Sequence, residues 1–135
     1  MTRVLALDYG GARCGCAISD PTETLATPLP AIESPRTDDG LAAITRVVRE
    51  QAAEAVVVGL PVLLSGEEGS QALEAREFAE HLAERLPVPV TTYDERFTTR
   101  LAQRTPGSAP EDSRAAAHLL ESYLADRRRR SGTDG

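Results

Sequence analysis

Tryptophan and lysine are absent from this sequence of 135 residues, and aromatic residues make up only 4% of it. Hydrophobic residues nevertheless make up 41%, so the core of one ordinary domain can be built from valine, leucine, isoleucine and alanine. No apolar run approaches the roughly 20 residues of a transmembrane helix. The apolar stretch at the N-terminus is also too short for a signal peptide. We therefore predict a soluble cytoplasmic protein that does not contact a membrane.

Sulfur is scarce as well, because Cys14 and Cys16 are the two cysteines of the chain. On a strand their spacing places both on one face, and they are too close in sequence for an ordinary disulfide. Two thiols without further clustered sulfur ligands also make a weak zinc site. We expect both cysteines to be small core residues.

The charge is acidic, with 15 basic residues, all of them arginine, against 21 acidic residues. Four of the arginines stand together at Arg127–Arg130, and the first 126 residues alone carry a net charge of −9. An excess of acidic residues is unusual for a protein that binds phosphate groups, because such a protein normally needs a basic face. Two explanations stay open: the acids lie on outer helix faces, or a divalent metal supplies positive charge at the site.

The N-terminal third of the sequence predicts three strands. An apolar run over Arg3–Asp8 is followed by the turn signal Tyr9–Ala12 and by a second apolar run over Arg13–Ser19, a pattern typical of a β-hairpin. Thr27–Ile32 predicts a third strand. Its two prolines, Pro28 and Pro30, favour an edge position because proline cannot donate to a neighbouring strand.

Apolar residues at helical spacing predict three helices in the rest of the chain, and a short helical segment is also expected after Thr98. The first covers Leu41–Ala52, with Asp38 or Asp39 as N-cap, and the second has its apolar face over Ala75–Leu86. The spacing of Ser108 and Glu111 is that of a capping box, which predicts the start of the last helix.

Two further strands are predicted at Ala55–Gly59 and Val88–Tyr93, each next to a helix. This order of elements predicts an α/β fold with a mixed five-stranded sheet, in which an antiparallel hairpin joins parallel strands and helices cover both faces. We expect one domain over residues 1–126 and a flexible, arginine-rich tail over residues 127–135.

Three acidic residues stand at positions where such a fold could form an active site. Asp8 ends the first strand, and Glu95 follows the last strand, so both would share one end of the sheet if these strands are neighbours. Asp112 falls in the first turn of the last helix, on the same face as Ala116, where an acid is costly unless it is paired or bound to metal. The alternative role for Asp112 is that of an N-cap.

Three converging carboxylates would repel one another without a cation. Oxygen ligands suit Mg²⁺ or Mn²⁺, and two such ions about 4 Å apart promote phosphodiester hydrolysis. The sequence therefore predicts a metal-dependent nuclease whose catalytic and metal-binding residues are the three acids Asp8, Glu95 and Asp112. The predicted substrate-binding residues border them in sequence: Gly10, Gly11, Arg13 and Arg96.

Four segments in order resemble the motifs of the YqgF family of pre-16S ribosomal RNA nucleases and Holliday junction resolvases. These segments are Asp8–Asp20, Val58–Gly69, Tyr93–Thr99 and Asp112–Leu124. The resemblance implies a ribonuclease H-like fold, with Asp8, Glu95 and Asp112 at the positions of the family's catalytic acids. It also implies a nucleic-acid substrate, either the 5′ end of pre-16S ribosomal RNA, with ribosomal precursor particles as partners, or branched junction DNA.

Three departures from the family pattern affect expected substrate contacts. The family usually has threonine and a basic residue where Gly11 and Ala12 stand, and asparagine and aspartate near Leu63–Ser65. The stretch between Thr99 and Asp112 is short and lacks the usual basic run. A non-catalytic nucleic-acid-binding module of the same fold is therefore an alternative, as is a fragment of a sugar-kinase or actin-like ATPase fold.

Overall fold

Five strands and three helices form the described part of the chain, which in this computed structural model comprises residues 3–22, 25–61, 65, 69–95 and 111–134. The side chains of residues 111, 112 and 130–134 are outside the description. The elements are, in order, β1 (Val4–Tyr9), β2 (Arg13–Ser19), β3 (Ala26–Glu33), α1 (Asp38–Glu50), β4 (Ala55–Leu60), α2 (Ser70–Arg85), β5 (Val90–Asp94) and α3 (Glu111–Asp134).

The strands form one sheet in the order β3-β2-β1-β4-β5. β2 pairs antiparallel with both β1 and β3, whereas β4 pairs parallel with both β1 and β5. The predicted mixed five-stranded sheet is confirmed. The condition that the first and last strands are neighbours is not met, because the valine-rich strand β4 lies between them. The parallel strands β1, β4 and β5 still end at the same edge of the sheet.

The two faces of the sheet carry separate aliphatic cores. Leu5 and Leu7 of β1 pack with α1 and α2, while the alternate residues Val4 and Ala6 pack with α3. This arrangement confirms helices on both faces. Neither Cys14 nor Cys16 forms a disulfide, and both are buried in the core under α1 and α2, as predicted.

The last helix crosses its face of the sheet from one edge to the other. Near its start the hydroxyl of Ser113 donates to the carbonyl of Leu29 on the edge strand β3. Further along, the hydroxyl of Tyr93 on the opposite edge strand β5 donates to the carbonyl of Ser122, with an oxygen–oxygen distance of 3.5 Å. α3 therefore packs over every strand whose end borders the acidic residues.

The ends of the helices differ in part from the predictions. The N-cap of α1 is Thr37, whose hydroxyl accepts from the amide of Gly40 at 3.1 Å, so the prediction of Asp38 or Asp39 is wrong. Both aspartates lie in the first turn instead, where their charge complements the helix dipole. The capping box predicted before α3 lies outside the described residues.

α3 continues as helix through the arginine run to Asp134. The flexibility expected for residues 127–135 stays a prediction. Within the described part of the chain, no helix combines the length and the apolar character that crossing a membrane would require.

A strained alanine closes α1. The amide of Ala53 donates to the carbonyl of Val48 at 2.9 Å, and that of Ala52 donates to Arg49 at 3.2 Å, which is the Schellman pattern of a helix C-terminus. Ala52 adopts a φ of 53°, the left-handed conformation that glycine accepts without steric cost.

We expect Ala52→Gly to raise the free energy of unfolding by up to about 1 kcal/mol, because the release of strain exceeds the entropy that glycine adds to the unfolded chain. Ala42→Gly, at an exposed position within α1, is the matched control and should lower it by about 1 kcal/mol. Urea unfolding of both variants measures the difference. Equal losses in the two variants would show that Ala52 is not strained.

Candidate active site

Two of the three predicted acids meet at the edge where the parallel strands end. Asp8 lies near the end of β1, and Glu95 directly follows β5. Register aligns Leu7 with Val58 of β4, and the next residue of β4, Gly59, with Tyr93 of β5. The strand ends therefore place Asp8 and Glu95 on either side of Gly59.

Both acids lie on the α3 face of the sheet. Asp8 is in phase along β1 with Ala6, which belongs to the core under α3. Glu95 lies just past the end of β5, and its side chain approaches the position at Gly59 where a Cβ atom would also meet Leu119 of α3. The acids thus face the same helix although a strand separates their backbones.

Gly59 makes the approach of the two acids possible. A Cβ atom at Gly59 would lie 3.0 Å from both Cγ and Cδ of Glu95, and 3.0 Å from Cδ2 of Leu119 on α3. The side chain of Glu95 therefore passes over β4 through space that any other residue at position 59 would fill. The sequence does contain a signal for this role, since a glycine within a buried valine-rich strand often marks a close approach.

The carboxyl groups of Glu95 and Asp8 share a hydrogen bond. Burial, followed by the charge of Asp8, a hydrogen bond with Asp8 and the charge of Asp94, raises the pKa of Glu95 from 4.5 to about 7. A hydrogen bond that raises this pKa is one in which protonated Glu95 donates to Asp8. Near neutral pH the pair therefore holds a proton that a cation could replace.

A cleft of about 270 Å³ opens at this edge. It contains both acids together with predicted and unpredicted neighbours: Asp8, Tyr9, Gly10, Gly11, Pro61, Gln71, Glu74 and Glu95. A Cβ at Gly10 would lie 2.7 Å from the carbonyl oxygen of Arg13, so Gly10 is required by the turn, whereas Gly11 borders open space. Gln71 and Glu74 come from α2, and no sequence motif points to them.

The remaining predicted residues are placed differently. Arg13 does not line the cleft; its guanidinium lies 3.8 Å from the carboxylate of Glu33, at the start of β2. Arg96 lies outside the described residues. Asp112 occupies the first turn of α3, but its side chain is not described. Among the side chains that are described, no three acidic, histidine or cysteine residues cluster closely enough to hold a metal ion.

Comparison with known proteins identifies the family. The model of the RuvX family, described as a Holliday junction resolvase, matches residues 2–126. A protein of Chloroflexus aurantiacus described as "Putative pre-16S rRNA nuclease" is 40% identical over 134 residues, which cover 93% of this chain and 88% of that protein. A Corynebacterium jeikeium protein of the same description is 38% identical, with coverages of 94% and 88%. The chain therefore belongs to the RuvX family, and the predicted nuclease class is confirmed.

Solved structures support the fold. RuvC of Thermus thermophilus in complex with Holliday junction substrate superimposes with a TM-score of 0.65 at 16% identity, over 95% of this chain and 96% of that one. The fowlpox virus Holliday junction resolvase gives a TM-score of 0.53 at 13% identity, with coverages of 92% and 99%. The predicted ribonuclease H-like fold is thereby confirmed.

We expect Gly59→Ala to displace Glu95 from Asp8, because the added methyl group occupies the path of the Glu95 side chain. The pKa of Glu95 should fall from about 7 towards its ordinary value of 4.5, and overpacking against Leu119 should cost about 1 to 3 kcal/mol of stability. NMR titration of the Glu95 carboxyl carbon measures the first effect. Gly11→Ala, which adds a methyl group to open space, should leave this pKa unchanged; equal pKa values in the two variants would contradict the role of Gly59.

Without metal, we expect stability to fall as the pH rises from about 4.5 to about 7. In this window the folded protein keeps the Glu95 proton that the unfolded chain has lost, since the pKa of Glu95 is about 7 folded and 4.5 unfolded. The loss, discounted for an open cleft, should be on the order of 2 kcal/mol. Thermal melts between pH 5 and 8 measure it. Asp8→Asn should reduce the decline and raise stability near pH 8; an undiminished decline would show that Asp8 does not raise this pKa.

Proposed function

We propose that this RuvX-family nuclease depends on a divalent metal held by Asp8, Glu95 and Asp112, and that it trims the 5′ end of pre-16S ribosomal RNA. The observation that carries this proposal is the hydrogen-bonded carboxyl pair of Asp8 and Glu95 in a cleft at the ends of parallel strands. Perturbed, converging acids of this kind are typical of functional sites.

The donor set at this edge fits Mg²⁺ or Mn²⁺. Asp8 and Glu95 supply oxygen ligands, which both ions prefer. Burial and the neighbouring charge of Asp8 raise the pKa of Glu95, and a cation in place of the proton would stabilise the ionised pair. When bound, such ions activate the attacking water and stabilise the charge that develops during phosphodiester hydrolysis.

The start of α3 supports Asp112 as the third ligand. Its neighbour Ser113 bonds to Leu29 on β3, and register places Leu29 two strands away from Leu7. Leu29 is therefore about 10 Å from Leu7, and the first turn of α3 lies beside Leu29. This separation suits a carboxylate that completes a site shared with residues at the end of β1.

The protein's own residues would also position the scissile phosphate. Gly11 leaves the floor of the cleft open, so a phosphate oxygen can approach the backbone there. Gly10 shapes the turn that holds this floor. Arg96, directly after Glu95, remains our proposed phosphate contact, whereas Arg13 would first have to leave its ion pair with Glu33.

The substrate is inferred from relatives. Relatives near 40% identity carry the pre-16S rRNA nuclease description, and an RNA precursor would place the enzyme in the cytoplasm with ribosomal precursor particles as partners. Junction DNA is the second candidate, because the matching family model is described as a Holliday junction resolvase. Metal-assisted hydrolysis is chemically the same for both.

We expect Asp8→Asn, Glu95→Gln and Asp112→Asn each to lower cleavage by at least about 100-fold. The test compares purified variants with Mg²⁺ or Mn²⁺ on pre-16S ribosomal RNA and on four-way DNA junctions side by side. Asp39→Asn, which removes an exposed charge from α1, is the matched control and should cleave like the wild type. A chelator should abolish cleavage, and thermal melts should show that all variants fold.

Each result has a distinct meaning. Wild-type activity in Asp112→Asn would remove Asp112 from the metal site while leaving the pair of Asp8 and Glu95 in place. Cleavage that persists in the chelator would contradict metal dependence. Binding of either substrate without cleavage under all metal conditions would identify a non-catalytic module of this fold.

A further inference from the structure

We propose that the edge strand β5 and the C-terminal half of α3 form a binding surface for a single-stranded segment of the nucleic-acid substrate. This inference rests on the proposed function only in that the chain acts on nucleic acid. The surface is a groove of about 360 Å³, which we call the tyrosine groove; it is lined by Thr91, Thr92, Tyr93, Asp94, Tyr123, Asp126 and Arg127.

Two aromatic rings are held in place within this groove. Tyr93 and Tyr123 meet edge to face, with ring centroids 5.6 Å apart and an interplanar angle of 83°. The hydroxyl of Tyr93 also donates to the carbonyl of Ser122. The chain has three tyrosines and no tryptophan. Two of the three tyrosine rings on which a base could stack therefore lie in this one groove. Partly exposed, fixed rings are the usual platforms for unpaired bases.

Arginine accompanies the rings. The guanidinium carbon of Arg127 lies 5.6 Å from the centroid of the Tyr123 ring, within cation–π range. Because α3 continues as helix beyond this point, Arg128 and Arg129 are carried on the same element, and both are exposed. Arginines beside fixed aromatic rings are the combination that binds the bases and the backbone of a single strand together.

Acidic residues limit the electrostatic part of the binding. Asp94 and Asp126 line the same groove, and Asp126 lies 3.0 Å from the guanidinium of Arg129. The local charge is therefore mixed, and stacking on Tyr123 has to contribute to affinity alongside the attraction of phosphate. This balance favours a single strand over a duplex, because the faces of paired bases are already covered by their neighbours in the stack.

The tyrosine groove lies beside the cleft. Tyr93 of the groove precedes Glu95 of the cleft by two residues, a separation of at most about 7 Å between their Cα atoms. A single strand stacked on Tyr93 and Tyr123 would therefore lead directly to the carboxyl pair. The groove would hold the substrate at a fixed distance from the position that is cut.

The test measures binding of a fluorescent 12-residue oligouridylate, its deoxythymidine counterpart and a duplex of the same length by anisotropy, without divalent metal so that nothing is cleaved. We expect Arg127→Gln/Arg128→Gln and, separately, Tyr123→Leu to weaken single-strand binding about 10-fold. The arginine variant should also reduce the log–log salt slope by about 1.4, at roughly 0.7 for each phosphate contact with a single strand.

Arg46→Gln/Arg49→Gln is the matched control, since it removes the same charge from exposed positions of α1 on the opposite face. Tyr123→Phe keeps the ring and should bind like the wild type, which separates stacking from a folding defect. Equal affinities of the two arginine variants, or an equal loss of duplex binding, would overturn the proposal. Because no step requires cleavage, a nuclease that fails to cut would leave this result interpretable.

Discussion

The missing side chain at Gly59 is the constraint on which the site depends. β4 separates β1 from β5, and a Cβ atom at position 59 would lie 3.0 Å from the Glu95 side chain, which would have to shift away from its present position beside Asp8. The same space admits Leu119 of α3. The absence of a side chain at this position therefore permits three features: the contact between the acids, the rise in the pKa of Glu95, and the close packing of the last helix against the sheet.

The pair of acids destabilises the folded protein. Burial of a carboxyl beside a second acid is unfavourable, and the raised pKa of Glu95 reflects this loss of free energy. The two aliphatic cores, which hold β1 between α1 and α2 on one side and α3 on the other, offset it. A cation that binds the folded pair stabilises the native state by mass action, so the edge of the sheet that is least favourable alone is the one best suited to a metal.

Much of the fold could be predicted from local patterns, and the failures have a common cause. The hairpin, the parallel strands and the buried cysteines follow from period-two alternation and valine-rich runs. The position of β4 between β1 and β5 could not be predicted, because the order of parallel strands is decided by packing between distant segments. For the same reason the sequence predicts the acids Asp8 and Glu95 as site residues but does not predict their neighbours Gly59, Gln71 and Glu74.

The N-cap of α1 at Thr37 is not predicted, because the two aspartates beside it are equally good candidates by residue type. The roles of Asp112 and Arg96 stay predictions.

The positions of the charges explain how a protein of acidic composition can bind phosphate groups. α1 and α2 together carry seven acids against four arginines, whereas α3 carries five of each. The acids of α1 and α2 are all exposed, and one of them, Glu74, lines the cleft. Charges separated by more than about 10 Å are largely screened at 0.1 M salt, so the net value of −6 says little about any one surface. The first of the two explanations for the charge therefore holds for these helices. The second is needed as well, since the cleft contains three acids, Asp8, Glu74 and Glu95, and no described arginine. A substrate phosphate at this edge would be repelled by the acids of the cleft. A divalent cation bound between the phosphate and the acids would turn this repulsion into attraction.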